Sequence, residues 1–315
     1  MRNTVFLLGV TASVIECLAQ APNPHLETAR RIAGTQWAPA YEFFCVAPHA
    51  NAATDPPIEP TKIFDNLYAI GDSGTTAYAL TTREGIILID ALPANQTESV
   101  LLPGMKALGL DPAAVKYVIV THGHGDHSGG SGYFQEHYGS RVALSAEDWD
   151  LLLQANTKGG GKEGDAKKAT VNTPHRDVVM TDGMPITLGG ASVTPVLTPG
   201  HTPGAMGLIF AVNDGSTPHT AALFGGTILL PARPPVSTLK TYLTSIAHFK
   251  EATAKARVDV ELQNHPLMDG FVAKLTAVRE RKPGTPHPFV VGTQNYGKFL
   301  DVMTECMRAQ RPEVP

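Results

Sequence analysis

Three histidines and one aspartate lie within a span of six residues. The segment 121–130 reads Thr-His-Gly-His-Gly-Asp-His-Ser-Gly-Gly, which places possible ligands at His122, His124, Asp126 and His127. In an extended segment His122 and His124 point to the same side. Asp126 and His127 follow at a turn that can bring their side chains next to this pair. The interleaved glycines allow the backbone to fold tightly around a small object. Imidazole and carboxylate groups together suit a borderline metal such as zinc, so the sequence predicts a metal centre here.

Two further histidines follow predicted strands elsewhere in the chain. His201 lies in a Thr-Pro-Gly-His-Thr-Pro-Gly turn after the apolar segment 192–197, and His265 directly follows the segment 258–263. Either alone is more typical of a structural residue, but α/β folds place functional groups at strand ends, so we expect both to join the cluster. Six ligands suit two tetrahedral zinc ions that each keep an open position. A separation of about 3.5–4 Å would let one hydroxide bridge the two ions.

The elements that must position these residues alternate between strands and helices. The segment 85–90 is continuously apolar up to its final aspartate, which is typical of a strand covered on both faces. The order of elements forms two similar halves, which predicts an α/β sandwich with two sheets inside and helices outside. The pattern predicts strands at 66–70, 76–81, 85–90, 116–121, 141–144, 176–181, 192–197, 206–212, 219–224 and 258–263, and helices at 94–108, 146–153, 237–252, 268–281 and 297–310.

Composition and charge exclude several classes of protein. The 315 residues are 43% hydrophobic and 17% charged, which is enough apolar material for a sizeable core. The net charge of −4 offers no general attraction to nucleic acid or to an anionic membrane. We therefore expect a small-molecule substrate, no nucleic-acid partner, no membrane span, and a monomer or small homo-oligomer.

The N-terminus has the features of an export signal. Arg2 precedes the mostly apolar segment 4–19, and Ala-Gln-Ala ends at residue 21. Residues 1–21 are therefore predicted to be a signal peptide, with an amphipathic helix as the alternative, and the mature protein would be periplasmic or secreted. We expect an irregular arm over 22–61 and a catalytic domain over 62–315.

Two cysteines would remain after removal of the signal peptide. They are Cys45, in the predicted arm, and Cys306, in the last predicted helix. An even pair in an exported protein permits one disulfide, and two separately buried thiols are the alternative.

The complete ligand pattern resembles that of a known superfamily. His122, His124, Asp126 and His127 match the H-x-H-x-D-H signature of the metallo-β-lactamase superfamily, and the two later histidines match its later ligands in order and setting. The resemblance covers residues 62–270 and implies a four-layer αββα sandwich. It further implies two zinc ions per chain, the first held by His122, His124 and His201 and the second by Asp126, His127 and His265.

One departure from the common ligand pattern of the superfamily indicates which of its subclasses this chain most resembles. Most hydrolases of the superfamily have a metal-bridging aspartate after the strand that here ends Leu-Phe-Gly-Gly-Thr at residue 227, and the commonest β-lactamase subclass has a cysteine ligand there. With neither present, the chain most resembles the third β-lactamase subclass, whose second zinc is held by Asp-His-His. This implies an antibiotic-resistance enzyme that hydrolyses β-lactams with a zinc-bridging hydroxide. Asp126 would orient that hydroxide and relay its proton, and Thr227 would either bind the substrate carboxylate or cap a turn.

Other functions remain open at this point. A hydrolase of the same fold acting on a lactone, an ester or a thioester is the main alternative, because no cationic residue closely follows Thr227. An iron redox enzyme or a metal-binding protein without turnover is a third. The polar segment 157–168 is either a solvated linker or a flap over the site, and Asp90 is expected to support the ligands or the fold.

Overall fold

The computed structural model describes residues 23–47, 57–157, 173–229 and 234–312. The predicted signal peptide (1–21) and residues 158–168 of the predicted polar loop lie outside these ranges. Both therefore stay predictions.

Twelve strands and nine α-helices are found within the described residues. Short π-helical turns lie at Glu42–Val46 and Thr97–Leu101, and 3-10 turns at Ala94–Gln96 and Pro112–Ala114. The strands are β1 (Thr61–Phe64), β2 (Leu67–Gly71), β3 (Thr76–Thr82), β4 (Gly85–Ile89), β5 (Val115–Ile119), β6 (Arg141–Ser145), β7 (Val178–Met180), β8 (Ile186–Leu188), β9 (Ala191–Leu197), β10 (Met206–Asp214), β11 (Thr217–Leu223) and β12 (Val260–Leu262). The helices are α1 (Pro24–Ala33), α2 (Ala38–Tyr41), α3 (Leu102–Ala107), α4 (Gly125–Ser128), α5 (Ser131–Tyr138), α6 (Ala146–Thr157), α7 (Val236–Lys255), α8 (Phe271–Arg279) and α9 (Thr293–Gln310).

The strands form two sheets. The first contains β1 to β7 in chain order, antiparallel as far as β4 and parallel from β4 to β7. The second has the order β12-β11-β10-β9-β8, antiparallel except for the parallel pair β11–β12. The parallel pairs place the ends of β4, β5 and β12 where loops can carry functional residues.

Three apolar cores separate four layers, which confirms the αββα sandwich. In β4, Ile87 and Ile89 face the core between the two sheets, whereas Ile86 and Leu88 face the core under α3, α5 and α6. The third core lies between the second sheet and the helices α1, α2, α7 and α9. Burial on both faces explains why the sequence of β4 is a continuous apolar run instead of an alternating one.

The described N-terminal part of the predicted arm, residues 23–47, is largely helical where an irregular segment was expected. Several of its apolar residues, including Trp37 and Phe44, are buried in the same core as α9, and the Trp37 indole nitrogen donates to the carbonyl of Asn295 at 2.9 Å. Cys45 and Cys306 form a disulfide that links the arm covalently to α9. The disulfide that the cysteine count permitted is therefore present.

Some predicted elements differ from those observed. The helix predicted at 94–108 is three consecutive helical pieces, since Pro103 cannot donate a backbone hydrogen bond and the pattern of bonding changes before it. The strands β1 and β8 were missed because each is short and lies at the edge of its sheet. Among the described residues, no helix combines the length and apolarity that crossing a membrane requires.

Candidate metal centre

The predicted ligands converge where loops from both sheets meet. The loops follow β5, β9 and β12, and backbone hydrogen bonds join them to the opposite sheet. The amide of Met206 donates to the carbonyl of Thr121 at 2.8 Å, and the amide of Thr76 donates to the carbonyl of Asn264 at 2.9 Å. These bonds fix the ligand loops relative to each other.

The first group consists of His122, His124 and His201. Nε2 of His201 lies 3.1 Å from Nε2 of His122 and 3.0 Å from Nδ1 of His124. One ligand atom from each of the three residues falls within 4.8 Å of the others. His122 is buried and His124 is exposed, so this group opens to solvent on the His124 side.

The second group consists of Asp126, His127 and His265. The Nε2 atoms of His127 and His265 lie 2.9 Å apart, and Oδ2 of Asp126 lies 3.3 Å from the first and 3.6 Å from the second. Both histidines are buried, whereas the Asp126 side chain is 34% exposed. His122 lies within 4.8 Å of Asp126 and His127 as well, so the two groups adjoin.

Hydrogen bonds at the far side of three rings fix which nitrogen faces the centre. Nδ1 of His265 faces the carbonyl of Gly74 at 2.8 Å, and Nδ1 of His201 faces the carbonyl of Ile228. Nδ1 of His127 lies 2.8 Å from Oδ2 of Asp90. Because carbonyl and carboxylate oxygens only accept, each Nδ1 carries a proton and each Nε2 faces the centre.

Asp90 supports several of these groups at once. It is fully buried, and its left-handed backbone (φ 57°) follows β4 directly. Its carboxylate accepts from the Thr121 amide at 2.7 Å, the Thr121 hydroxyl at 3.0 Å and the Asn264 side-chain amide at 3.1 Å, in addition to His127. The supporting role expected of Asp90 thus has a geometric basis.

Burial sets the charge of most of the rings. It lowers the pKa of His201 to about 3 and that of His265 to about 4, and it holds the pKa of His122 well below its usual range. Burial also opposes protonation of His127, but the carboxylates of Asp126 and Asp90 outweigh it and raise its pKa to about 10. The neutral rings are ready for metal ligation, and at His127 a metal cation would take the place of a proton.

The spacing of the donor atoms fits metal ligation. Two Nε2 lone pairs 2.9 Å apart repel each other unless a cation or proton lies between them. Zinc–nitrogen distances of about 2.0–2.1 Å in a tetrahedral site place neighbouring nitrogens roughly 3.3 Å apart, close to the separations seen in both groups. The donor set of five imidazoles and one carboxylate is one that zinc accepts.

Thr227 lies in the loop after β11, next to the first group but enclosed. Its side chain is fully buried, and its hydroxyl has no hydrogen-bond partner among the described residues. The preceding Gly226 has φ 72°, and a Cβ there would lie 2.7 Å from Cβ of His201, so only glycine allows the His201 ring to pack here. The contact of Thr227 with a substrate stays a prediction.

Sequence reasoning missed two buried carboxylates beside the ligand loops. Asp148 lies in the first turn of α6 and Asp72 lies in the turn between β2 and β3. Neither position has a distinctive sequence signal, because an acidic residue is common both in the first turn of a helix and in a tight turn.

Comparison with known proteins found a matching family description and several relatives. The family description "Metallo-beta-lactamase superfamily" matches residues 70–214. A "Beta-lactamase-like protein 2 homolog" of Caenorhabditis elegans is 26% identical over 211 residues, covering 66% of this chain and 62% of the relative. An "N-acyl homoserine lactonase AttM" of Rhizobium radiobacter is 33% identical over 107 residues, covering 33% of this chain and 39% of the relative. This chain therefore spans less than two thirds of the length of either curated relative.

A solved structure is similar over most of its length. The crystal structure of BJP-1, described as a subclass B3 metallo-beta-lactamase of Bradyrhizobium japonicum, has a TM-score of 0.64 and 28% sequence identity. The similarity covers 79% of this chain and 91% of BJP-1.

Proposed function

The chain belongs to the metallo-β-lactamase superfamily, and we propose that within it the protein is an exported hydrolase that binds two zinc ions and opens β-lactam rings. In this proposal residues 62–315 form the catalytic domain and the substrate is a small molecule with a carbonyl group.

The composition of the second ligand group carries the proposal. Asp126, His127 and His265 converge without any contribution from the segment 224–229, which contains neither aspartate nor cysteine. An Asp-His-His second group is the pattern expected for the third β-lactamase subclass. The similarity to BJP-1, a protein described as a subclass B3 enzyme, supports the same assignment.

The ligand groups divide the work of hydrolysis between them. When bound, the metal ions supply Lewis acidity, polarising a carbonyl oxygen and lowering the pKa of water to about 7. His122, His124 and His201 would hold one ion on the solvent-exposed side, where a substrate can enter. The buried His127 and His265 would help to hold the other, and Asp90 and the Gly74 carbonyl fix the orientation of their rings.

Asp126 is the residue that we propose handles the proton. Burial would raise the pKa of its carboxyl, but His127 and His265 outweigh that effect and hold the pKa well below its usual range. The carboxylate is therefore ionised at neutral pH, and it is the half-exposed member of the second group. It can accept a hydrogen bond from the attacking water and so orient it, and because of its low pKa it would relay the water proton onward and not retain it.

We further propose that the Thr227 hydroxyl donates a hydrogen bond to the substrate carboxylate. The buried hydroxyl lacks a partner among the described residues, so a substrate carboxylate that reaches it would supply the missing acceptor. Replacing Thr227 with valine should then raise KM for β-lactams with little change in zinc content. An unchanged KM would remove Thr227 from the binding site.

Export is supported by the disulfide between Cys45 and Cys306, since disulfides persist in oxidising compartments. N-terminal sequencing of the protein recovered from outside the cytoplasm should find a chain beginning at Pro22. A mature chain that still begins at residue 1 would contradict the signal peptide.

The deciding experiment compares substrates and metal states. Purified protein with two zinc ions should hydrolyse nitrocefin and a carbapenem, and chelator-treated protein should not. The zinc content of both samples should be measured, and the rate of hydrolysis should rise with the zinc bound per chain. Zinc-loaded protein that leaves both β-lactams intact would overturn the proposed substrate.

A lactone, ester or thioester is the second candidate substrate class. The similarity to a protein described as an N-acyl homoserine lactonase supports it, because attack on a carbonyl carbon is common to both reactions. The same zinc-loaded protein should be assayed in parallel with an N-acyl homoserine lactone and a thioester. The substrate with the highest kcat/KM identifies the class.

A further inference from the structure

Asp148 connects the two loops that carry the first ligand group. Its side chain is fully buried at the start of α6. Oδ2 accepts from the Gly123 amide at 2.8 Å and from the Thr202 hydroxyl at 2.7 Å, and Oδ1 accepts from the Gly204 amide at 2.8 Å. Gly123 lies between His122 and His124, while the other two donors lie in the turn directly after His201. One carboxylate therefore fixes the relative positions of the two loops that contain all three ligands of the first group.

The close approach of these loops to α6 depends on glycine. A Cβ at Gly123 would lie 2.9 Å from the Asp148 carbonyl oxygen, and a Cβ at Gly204 would lie 2.0 Å from Oγ of Ser145. Both loops are thus packed directly against the start of α6. This is the arrangement expected if the helix serves as a fixed support for the ligands.

Asp72 supports the second group through a different route. Its Oδ1 accepts from the amides of Gly74 at 2.8 Å and Thr75 at 2.6 Å, which fixes the turn that precedes β3. Its Oδ2 accepts from the Gln96 side-chain amide at 2.7 Å. The same turn presents the Gly74 carbonyl to Nδ1 of His265. Asp72 is 6% exposed and touches no predicted ligand itself.

We propose that Asp148 and Asp72 are positioning residues that separately set the zinc affinity of the first and the second ligand group. The inference rests on the two-zinc site of the proposed function but not on its substrate. Within the described residues, the side-chain hydrogen-bond partners of Asp148 differ from those of Asp72, so their effects should separate. Residues that orient metal ligands in this way typically change metal affinity by about 10–100-fold when replaced.

The two positions should respond differently to asparagine. At Asp148 both oxygens accept backbone N–H groups, so an amide NH2 must face a donor in either orientation, and D148N should lose affinity. At Asp72 the two backbone donors share Oδ1, and the buried Oε1 of Gln96 has no partner among the described residues. A flipped Gln96 can accept from an amide at position 72. D72N should therefore retain affinity where D72A loses it.

Zinc titration in two single-site backgrounds tests the proposal. His265→Ala leaves the first group as the main binding site, and His201→Ala leaves the second. In the first background D148N should weaken zinc binding by about 10–100-fold and D72A should change it less than about threefold. In the second background D72A should weaken zinc binding by about 10–100-fold and D148N should change it less than about threefold. D72N should bind zinc there with the affinity of the background protein.

Matched controls guard against general damage to the fold. Asp150 lies on the same helix as Asp148 but pairs with Arg176 at the surface, and Asp65 accepts the Gly215 amide in another exposed turn. D150N and D65A should leave both affinities unchanged. Far-ultraviolet circular dichroism and thermal melting of each metal-free variant establish that it is folded.

Two results would overturn the proposal. One is equal loss of zinc affinity in both backgrounds for either variant, which would indicate general destabilisation. The other is unchanged affinity in D148N and D72A. If the parent protein binds two zinc ions but cleaves no β-lactam, the substrate assignment fails while this test still stands.

Discussion

Nε2 of His127 and Nε2 of His265 lie 2.9 Å apart at the base of the centre, although the Nδ1 atoms of both rings face acceptors. Two facing Nε2 atoms at this distance require a proton on His127 or a metal cation between or beside them. The contact joins the two halves of the fold, because His127 follows a strand of the first sheet and His265 follows a strand of the second. Metal binding should therefore be coupled to the stability of the whole sandwich.

Zinc should raise the melting temperature of the metal-free protein. A ligand that binds only the folded state stabilises it by about 2.7 kcal/mol at 100 times its dissociation constant. Thermal melting at increasing free zinc, with a chelator as the zero point, measures this effect. A melting temperature that does not depend on zinc would contradict a metal centre at these residues.

Removal of one exposed ligand should abolish most hydrolysis without unfolding the protein. His124→Ala deletes a ligand atom 3.0 Å from Nε2 of His201, yet the residue is exposed, so little core packing is lost. We expect kcat/KM to fall by more than about 100-fold, because even partners of metal ligands typically cost 10–100-fold. His137→Ala, an exposed histidine on α5, is the control. Undiminished hydrolysis in His124→Ala would remove the site assignment.

A buried acidic residue should make stability depend on pH. Burial and the nearby Asp269 raise the pKa of Glu261 from 4.5 to about 8, although Lys274 lies 3.4 Å away. Between these two values the folded protein binds more protons than the unfolded chain, so the free energy of unfolding should fall as pH rises from 4.5 to about 8. Glu261→Gln should remove this part of the decline.

Urea unfolding at pH 5 and pH 8 measures that difference. Glu251→Gln, at an exposed position on α7, is the matched control and should keep the decline of the parent protein. An identical pH dependence in Glu261→Gln and the parent would show that Glu261 is not the group responsible.

Loss of the disulfide should lower stability but spare catalysis. The bond between Cys45 and Cys306 closes a loop with a sequence separation of 261 residues, and it constrains the unfolded chain. Replacing both cysteines with alanine should cost about 2–4 kcal/mol in the free energy of unfolding. Neither cysteine is among the candidate ligands, so the kcat/KM of the folded variant should match the parent. Reduced zinc content in that variant would contradict this separation.

The local sequence was sufficient to predict the structure where a pattern of residue types is compatible with few conformations. The continuous apolar run of β4 predicted a strand buried on both faces, and Ile86 and Ile87 do face opposite cores. The spacing of His122, His124, Asp126 and His127 predicted a ligand cluster, because the glycines between them let the backbone fold tightly enough to bring the side chains together. The prediction failed where context overrides composition, as in the helical arm that packs on α9.

The sequence by itself determined which residues can bind a metal and the order of the elements that carry them. Only the tertiary structure decided how those residues are held. Asp148 and Asp72 are ordinary acidic residues in the sequence, but the ligand-loop partners of Asp148 and the Gln96 partner of Asp72 lie elsewhere in the chain. A hydrogen bond between residues that are distant in sequence leaves no local sequence pattern. Each of the two residues is of a type that is common in its own helix or turn, so its identity does not indicate the distant partner. Only folding brings the two together.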